Sequence, residues 1–190
     1  MTKPAIKRAT YEDLLAVPRH RVAEIIAGTL RVSPRPAPRH ALASSRLGSR
    51  LGRAFDDGID GPGGWWILDE PELHLGEDIV VPDLAGWRIE RMPALPETSY
   101  FELAPDWVCE VLSPSTVADD RTEKMPAYAA AEVGHAWLVD PIARTLEVFR
   151  REGPRWLLLS THRDSTTVRA EPFEALALDL DALWRAPTKR

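Results

Sequence analysis

Residues 105–115 read Pro105-Asp106-Trp107-Val108-Cys109-Glu110-Val111-Leu112-Ser113-Pro114-Ser115. The run from Trp107 to Leu112 is too apolar to alternate cleanly, which is the pattern of a strand covered on both faces; such strands belong to α/β sheets with helices packed against them. Glu110 interrupts that pattern. Burying an ionised carboxylate without a partner costs several kcal/mol, so Glu110 must be protonated, paired with a base or neutralised by a metal ion.

The same conflict arises upstream, where Asp83 sits inside Ile79-Val80-Val81-Pro82-Asp83-Leu84-Ala85-Gly86-Trp87. Downstream, the segment from Asp119 to about Val133 has helical character, and Asp120, Lys124 and Tyr128 recur in it at four-residue steps, which puts them on one face. Lys124 is the basic candidate. Asp83, Glu110 and Lys124 together make a metal-plus-lysine set for phosphodiester hydrolysis: a divalent ion polarises the phosphoryl oxygen and lowers the pKa of a water, and a cation offsets the developing charge. A hard ion such as Mg2+, or Mn2+ in its place, takes carboxylate oxygens. The alternative is a buried structural ion pair between Glu110 and Lys124.

Around this centre the chain reads as alternating elements. Thr10-Tyr11-Glu12-Asp13 resembles a capping box and opens a short helix before Pro18. Val22–Ile26 and Thr29–Ser33 flank a tight Ala27-Gly28 turn, a hairpin with Glu24 on its first strand. From Pro38 to about Phe55 the period is helical, with Leu47, Leu51 and Phe55 on one side and Arg39, Arg46, Arg50 and Arg53 on another. Trp65–Leu68, Glu72–Leu75 and Ile79–Trp87 read as three consecutive strands, and residues 88–105 as a loop able to shape access to a site. His135–Asp140, Thr145–Phe149 and Trp156–Leu159 are further strands, followed by a short strand and helix. The seven tryptophans are spread over the strands, which suits core packing better than a stacking platform for single strands.

With 190 residues, 44% hydrophobic and 28% charged, the chain is sized for one domain spanning 1–190 with a substantial core. It lacks an apolar run of about 18 residues or an apolar leader after Met1, so no membrane association is expected and the cytoplasm is the expected location. The lone Cys109 excludes an intrachain disulfide framework and a multi-cysteine zinc site. The net charge of −5 is unevenly placed: residues 1–53 carry 11 Lys and Arg against three acids, a net of +8, while the remainder carries −13. A local basic region can attract phosphate on a globally acidic protein. The arginine stripe of the Pro38–Phe55 segment is therefore either a solvated helix face or a phosphate-contacting one.

Pro82-Asp83, then Glu110 within Glu110-Val111-Leu112-Ser113-Pro114-Ser115, resembles the signature of the PD-(D/E)XK nucleases, and the chain as a whole is similar to the Uma-two family of bacterial endonucleases. The likeness extends from Glu24–Leu30, through His40 ahead of the first long helix, to Asp120, Lys124, Tyr128, Gly134 and Trp137–Pro141. It implies a restriction-endonuclease-like α/β fold, a mixed central sheet flanked by helices with a β-hairpin extension. It also implies Asp83 and Glu110 as ligands of Mg2+ or Mn2+, Lys124 as the residue that positions the attacking water or stabilises the transition state, and Glu24 as an accessory acid. His40, as phosphate contact or helix cap, and Asp120 and Tyr128 complete the set. DNA is the implied partner and a homodimer the expected assembly, because two strands must be cut. The rival is a nuclease fold whose site has decayed and which binds nucleic acid or a protein.

Two positions depart from the pattern. Leu112 stands where the superfamily places its lysine, two residues after the second acid, so Lys124 is the implied replacement. Ala27 stands where many relatives carry an acid before the hairpin glycine.

Overall fold

A computed structural model describes residues 8–187. Thr10 caps the short helix α1 (Tyr11–Leu15): its side chain accepts from the Asp13 N–H and the Asp13 carboxylate accepts from the Thr10 N–H, the reciprocal box its sequence predicts. Strands β1 (Arg21–Ile26) and β2 (Thr29–Pro34) form the hairpin, pairing Ile26 with Thr29 across the turn.

The turn has φ of 51° at Ala27 and 75° at Gly28, the left-handed pair of a type I′ turn. Glycine suits that geometry and alanine does not, since its Cβ crowds the following carbonyl at a cost of about 1–2 kcal/mol. The Ala27 N–H is held by Asp78 Oδ1 at 2.8 Å, so an acid at position 27 would meet a like charge. Asparagine would not. Ala27→Asn is expected to stabilise the protein by about 1 kcal/mol, read as a higher midpoint in urea with an unchanged slope.

Helix α2 (Pro38–Leu51) follows, with Ala43, Leu47 and Leu51 fully buried, and runs into a π-helical turn, Gly52–Asp56, that also buries Phe55. Strands β3 (Trp65–Asp69), β4 (Leu73–Leu75), β5 (Asp78–Val80) and β6 (Leu84–Arg88) come next. The expected single strand over 79–87 is thus two strands. Pro82 has no N–H for a ladder, and the halves join different sheets: β5 pairs with β1 and β4, whereas β6 enters the large sheet. Asp83 lies at that break.

Strand β7 (Trp107–Val111) is buried throughout. A helical segment then runs from α3 (Val117–Asp119) through a π turn, Asp120–Lys124, into α4 (Met125–Ala130). Pro126 cannot donate to the carbonyl four residues back, and the widened turn directly ahead of it accommodates the missing bond. Strands β8 (His135–Asp140), β9 (Thr145–Glu152) and β10 (Arg155–Arg163) form a meander, and the tail adds the ribbon β11 (Thr167–Val168) with β12 (Leu178–Asp179) and helix α5 (Asp181–Trp184).

The large sheet has the order β10-β9-β8-β7-β6-β3 and is mixed: β7 and β8 run parallel and the other pairs antiparallel. A second, four-stranded sheet, β2-β1-β5-β4, contains the hairpin. The expectation of a mixed sheet with helices and a hairpin extension is met, the extension being half of a sheet in its own right.

Period-two alternation decides what each face of the large sheet carries. Trp107, Cys109, Val111, Trp137 and Val139 enter one core with α2 and the tail, where Phe173 packs among Phe55, Trp65, Trp107 and Trp137. Val108, Ala136 and Leu138 enter the other with Met125 and Tyr128 of the helical segment. Glu110 belongs by alternation to this second face, beneath the helix that carries Lys124. The loop 88–105 is pinned against that core: Trp66 Nε1 donates to the Met92 carbonyl at 2.9 Å and Trp87 Nε1 to the Leu103 carbonyl at 2.8 Å. Among the described residues no helix is long and apolar enough to cross a membrane.

Candidate active site

Strands β6 and β7 pair Leu84 with Cys109. One step further along the same antiparallel register, Asp83 stands opposite Glu110, so the two side chains share a face. Like charges directly opposed on a sheet repel, and the pair is tolerable only with a cation or a proton nearby. Part of Asp83 is committed to holding the strand: Val111 N–H donates to its Oδ2 at 2.7 Å. Its Oδ1 lies 3.2 Å from His40 Nε2.

Lys124 supplies the local cation. Its Nζ is 2.8 Å from Glu110 Oε1, 3.0 Å from Glu24 Oε1 and 3.2 Å from the Val81 carbonyl oxygen, with Asp120 Oδ1 at 3.9 Å. An ammonium has three N–H donors, and these acceptors use them. Glu24 also takes the Val81 N–H at 2.8 Å, so the hairpin strand β1 fixes the lysine from one side while Glu110 fixes it from the other. Tyr128, fully buried, donates its hydroxyl to Glu110 Oε1 at 2.5 Å. Both contacts fall on Oε1, which leaves Oε2 as the Glu110 oxygen for a further ligand.

Four carboxylates (Glu24, Asp83, Glu110 and Asp120) surround one lysine and one histidine. Burial pushes the Asp120 carboxyl up to about 6, with Lys124 opposing the shift. Burial likewise pushes Glu110 well above the usual carboxylate range, against Lys124 and with help from Asp120, Asp83 and Glu24. Burial works against the Lys124 charge, but Glu110 and Glu24 outweigh it and hold the ammonium charged well above the ordinary lysine range. These shifts compete for the same protons. Lys124 stays charged because two acids lie within 3.0 Å of it, and the excess of acids over cations is felt as the raised proton affinity of Glu110 and Asp120. His40 resists burial through its bond to Asp83, which raises its pKa, while its buried Nδ1 has no hydrogen-bond partner among the described residues.

These residues line one cleft of about 260 Å³. Glu24, His40, Asp83, Glu110, Asp120 and Lys124 all reach it, and Tyr128 stands behind Glu110. A groove along α2, lined by Ser44, Ser45 and Ser49, shares Pro36, His40, Glu70 and Asp83 with the cleft. Among the described residues no group of three or more His, Cys, Asp or Glu side chains is set to hold a metal ion. Two carboxylates still suit Mg2+, which keeps several waters and takes its remaining oxygens from a bound phosphate rather than from an all-protein cage. In chemical kind, the Asp83 and Glu110 carboxylates are the oxygen donors that a hard divalent ion takes.

Two segments singled out in the sequence lie away from the cleft. None of Arg39, Arg46, Arg50 and Arg53 lines it. Arg46 donates to the Ala182 and Arg185 carbonyls and so ties α2 to α5, Arg50 donates to the Arg46 carbonyl, and Arg53 pairs with Asp60. The arginines at the cleft are Arg31, on β2, and Arg35; the signal for Arg35 was the proline-rich run Ser33-Pro34-Arg35-Pro36-Ala37-Pro38. Nor does the loop 88–105 line the cleft: its Tyr100 stacks on His74 of β4 and its Phe101 bridges to Leu73 and stacks on Trp87. Cys109 is buried and its thiol is pushed well up by that burial, which removes it as a nucleophile.

The family model described as "Putative restriction endonuclease", Uma2, matches residues 8–181. The chain belongs to the Uma2 family. No curated protein matches it. Among solved structures, a "putative nuclease belonging to DUF820" from Anabaena variabilis ATCC 29413 superposes with a TM-score of 0.75 at 22% identity, over 93% of this chain and 97% of that one. That likeness shows a shared fold. Membership of Uma2 makes this a chain of a nuclease family, and the Asp83-Glu110-Lys124 cluster lies within the matched span of that Uma2 domain.

Proposed function

We propose that this protein is a divalent-metal-dependent endonuclease that hydrolyses DNA phosphodiester bonds with water as nucleophile. The observation that carries the reading is the opposition of Asp83 and Glu110 on neighbouring strands, with Lys124 at 2.8 Å from Glu110, along a single open cleft. Asp83 and Glu110 would hold Mg2+ or Mn2+, which when bound lowers the pKa of a water and polarises a phosphoryl oxygen.

The protein's own groups do the rest. Lys124, held charged, cannot serve as a base; it fixes Glu110 and offers positive charge where the phosphoryl group becomes more negative. Glu24 orients that ammonium and Tyr128 orients Glu110. His40 orients Asp83 through its Oδ1, and Asp120 would add negative charge that favours a bound cation. Two such sites would cut both strands of a duplex together, so we include a homodimer in the reading.

The test is incubation with supercoiled plasmid, linear duplex and single-stranded DNA in Mg2+ or Mn2+, resolved on gels. The expected result is cleavage that stops on addition of EDTA and returns when the metal is restored. Absence of cleavage of all three substrates in both metals, or cleavage indifferent to EDTA, would overturn the reading.

A second reading is favoured by the closed set of contacts around Lys124: a structural ion-pair cluster in a module that binds nucleic acid or a protein without cutting it. It requires no divalent ion, and a folded protein that binds DNA equally in EDTA and in Mn2+ would support it.

A further inference from the structure

We propose that Arg35 is a phosphate-binding residue of the cleft, that it receives a backbone phosphate of the DNA strand, and that Glu70 occupies it until that phosphate arrives. The inference rests on the nuclease reading and adds to it the group that seats the substrate.

Arg31 and Arg35 are the two arginines lining the cleft, and they are held very differently. Arg31 is committed to Glu123 through both Nε and Nη2, with both side chains mostly covered. Arg35 pairs with Glu70 through a single contact of 3.4 Å, and the two side chains are 54% and 43% exposed. A pair so long and so wet contributes little, and a phosphate with its greater charge and fork-compatible oxygens displaces the carboxylate readily.

The backbone around Arg35 is built for presentation. Pro34 and Pro36 flank it and Pro38 opens α2, so the arm from Ser33 to Pro38 has few conformations to lose on binding. The Arg35 guanidinium is aimed by a second bond, Nη2 to the Arg19 carbonyl at 2.9 Å. The same arm leads directly to His40, which touches Asp83. Glu70 is equally fixed: its φ is 45°, a left-handed value disfavoured for an L side chain, and its N–H donates to the Asp83 carbonyl at 3.1 Å. Glu70 is thus anchored to Asp83 and Arg35 to the segment ahead of β1, and both line the cleft with the candidate metal acids.

The pair gives opposite signs for two substitutions, so misfolding cannot imitate the result. Binding is measured by fluorescence anisotropy in Ca2+, without Mg2+ or Mn2+, using a labelled random-sequence duplex and its single strand over a range of KCl. Arg35→Ala should weaken binding about tenfold and make the slope of log affinity against log salt shallower by about one. Glu70→Gln should strengthen binding by about two- to fivefold, the gain set by removal of an exposed competing pair. If the wild type binds and Arg35→Ala matches it in affinity and slope, or Glu70→Gln binds more weakly, the role of Arg35 is overturned while the nuclease reading stands. If the wild type binds neither probe, the DNA reading itself fails.

Discussion

Asp83→Asn is expected to abolish calorimetric Mn2+ binding while leaving the protein folded and at least as stable as the wild type. The substitution keeps the shape of the side chain, and the amide oxygen can still accept from the Val111 N–H that Asp83 Oδ2 now accepts at 2.7 Å. What it removes is one of two opposed negative charges. A merely damaging substitution lowers stability; this one relieves cross-strand repulsion worth up to about 1 kcal/mol, so the sign separates the two outcomes. Cleavage of DNA should fall by about 10³-fold or more, because a metal's stabilisation of the transition state is worth several kcal/mol and each 1.4 kcal/mol or so is tenfold in rate. Undiminished Mn2+ binding by Asp83→Asn, or a cleavage rate near that of the wild type, would remove Asp83 from the site. Because only two protein carboxylates are offered, affinity in the free protein should be modest and should rise when DNA is present.

Lys124→Met should have the largest effect on the fold itself. Lys124 is 4% exposed and Glu110 is 3% exposed, and the ammonium is the one side-chain cation within 3.0 Å of Glu110 and Glu24 among the described residues. Removing one partner of a buried ion pair leaves the other uncompensated, at about 3–5 kcal/mol. For a protein of this size that lowers the melting temperature by roughly 10–15 °C. Adding Glu110→Gln to Lys124→Met should recover part of the loss, since it neutralises the stranded carboxylate; a double-mutant cycle followed by thermal melting reads the coupling directly. Melting of Lys124→Met within about 2 °C of the wild type would mean that the cluster is already neutral without the lysine.

The site was legible in the sequence because its chemistry contradicts its surroundings. Glu110 and Asp83 stand out in apolar runs, and the four-residue spacing of Asp120, Lys124 and Tyr128 survives in the structure as one buried face, even through a π turn. The hairpin was equally plain, from two short alternating runs around Ala27-Gly28. The split of residues 79–87 was not legible. Apolarity reports that a segment is buried and is silent on which sheet buries it, and Pro82 was the one local hint that the strand changes partners. The roles of the arginines were hidden for a related reason. A helical stripe shows which side chains share a face, whereas the partners of Arg46 lie at Ala182 and Arg185, more than a hundred residues away. Arg35 was overlooked because it belongs to no periodic element; its meaning comes from the prolines on either side.

The Asp83-Glu110-Lys124 cluster straddles a seam: Glu24 arrives from the four-stranded sheet, Glu110 from the six-stranded one, and Lys124 from the helix that crosses between the parallel strands β7 and β8. No stretch of chain shorter than residues 24 to 124 holds these groups, and β7 gains its parallel neighbour only when residues 135–140 are in place. A chain still emerging from the ribosome therefore carries no assembled cluster until most of it has been made. For a protein proposed to cut DNA, copies that stop short of this seam lack the proposed centre altogether.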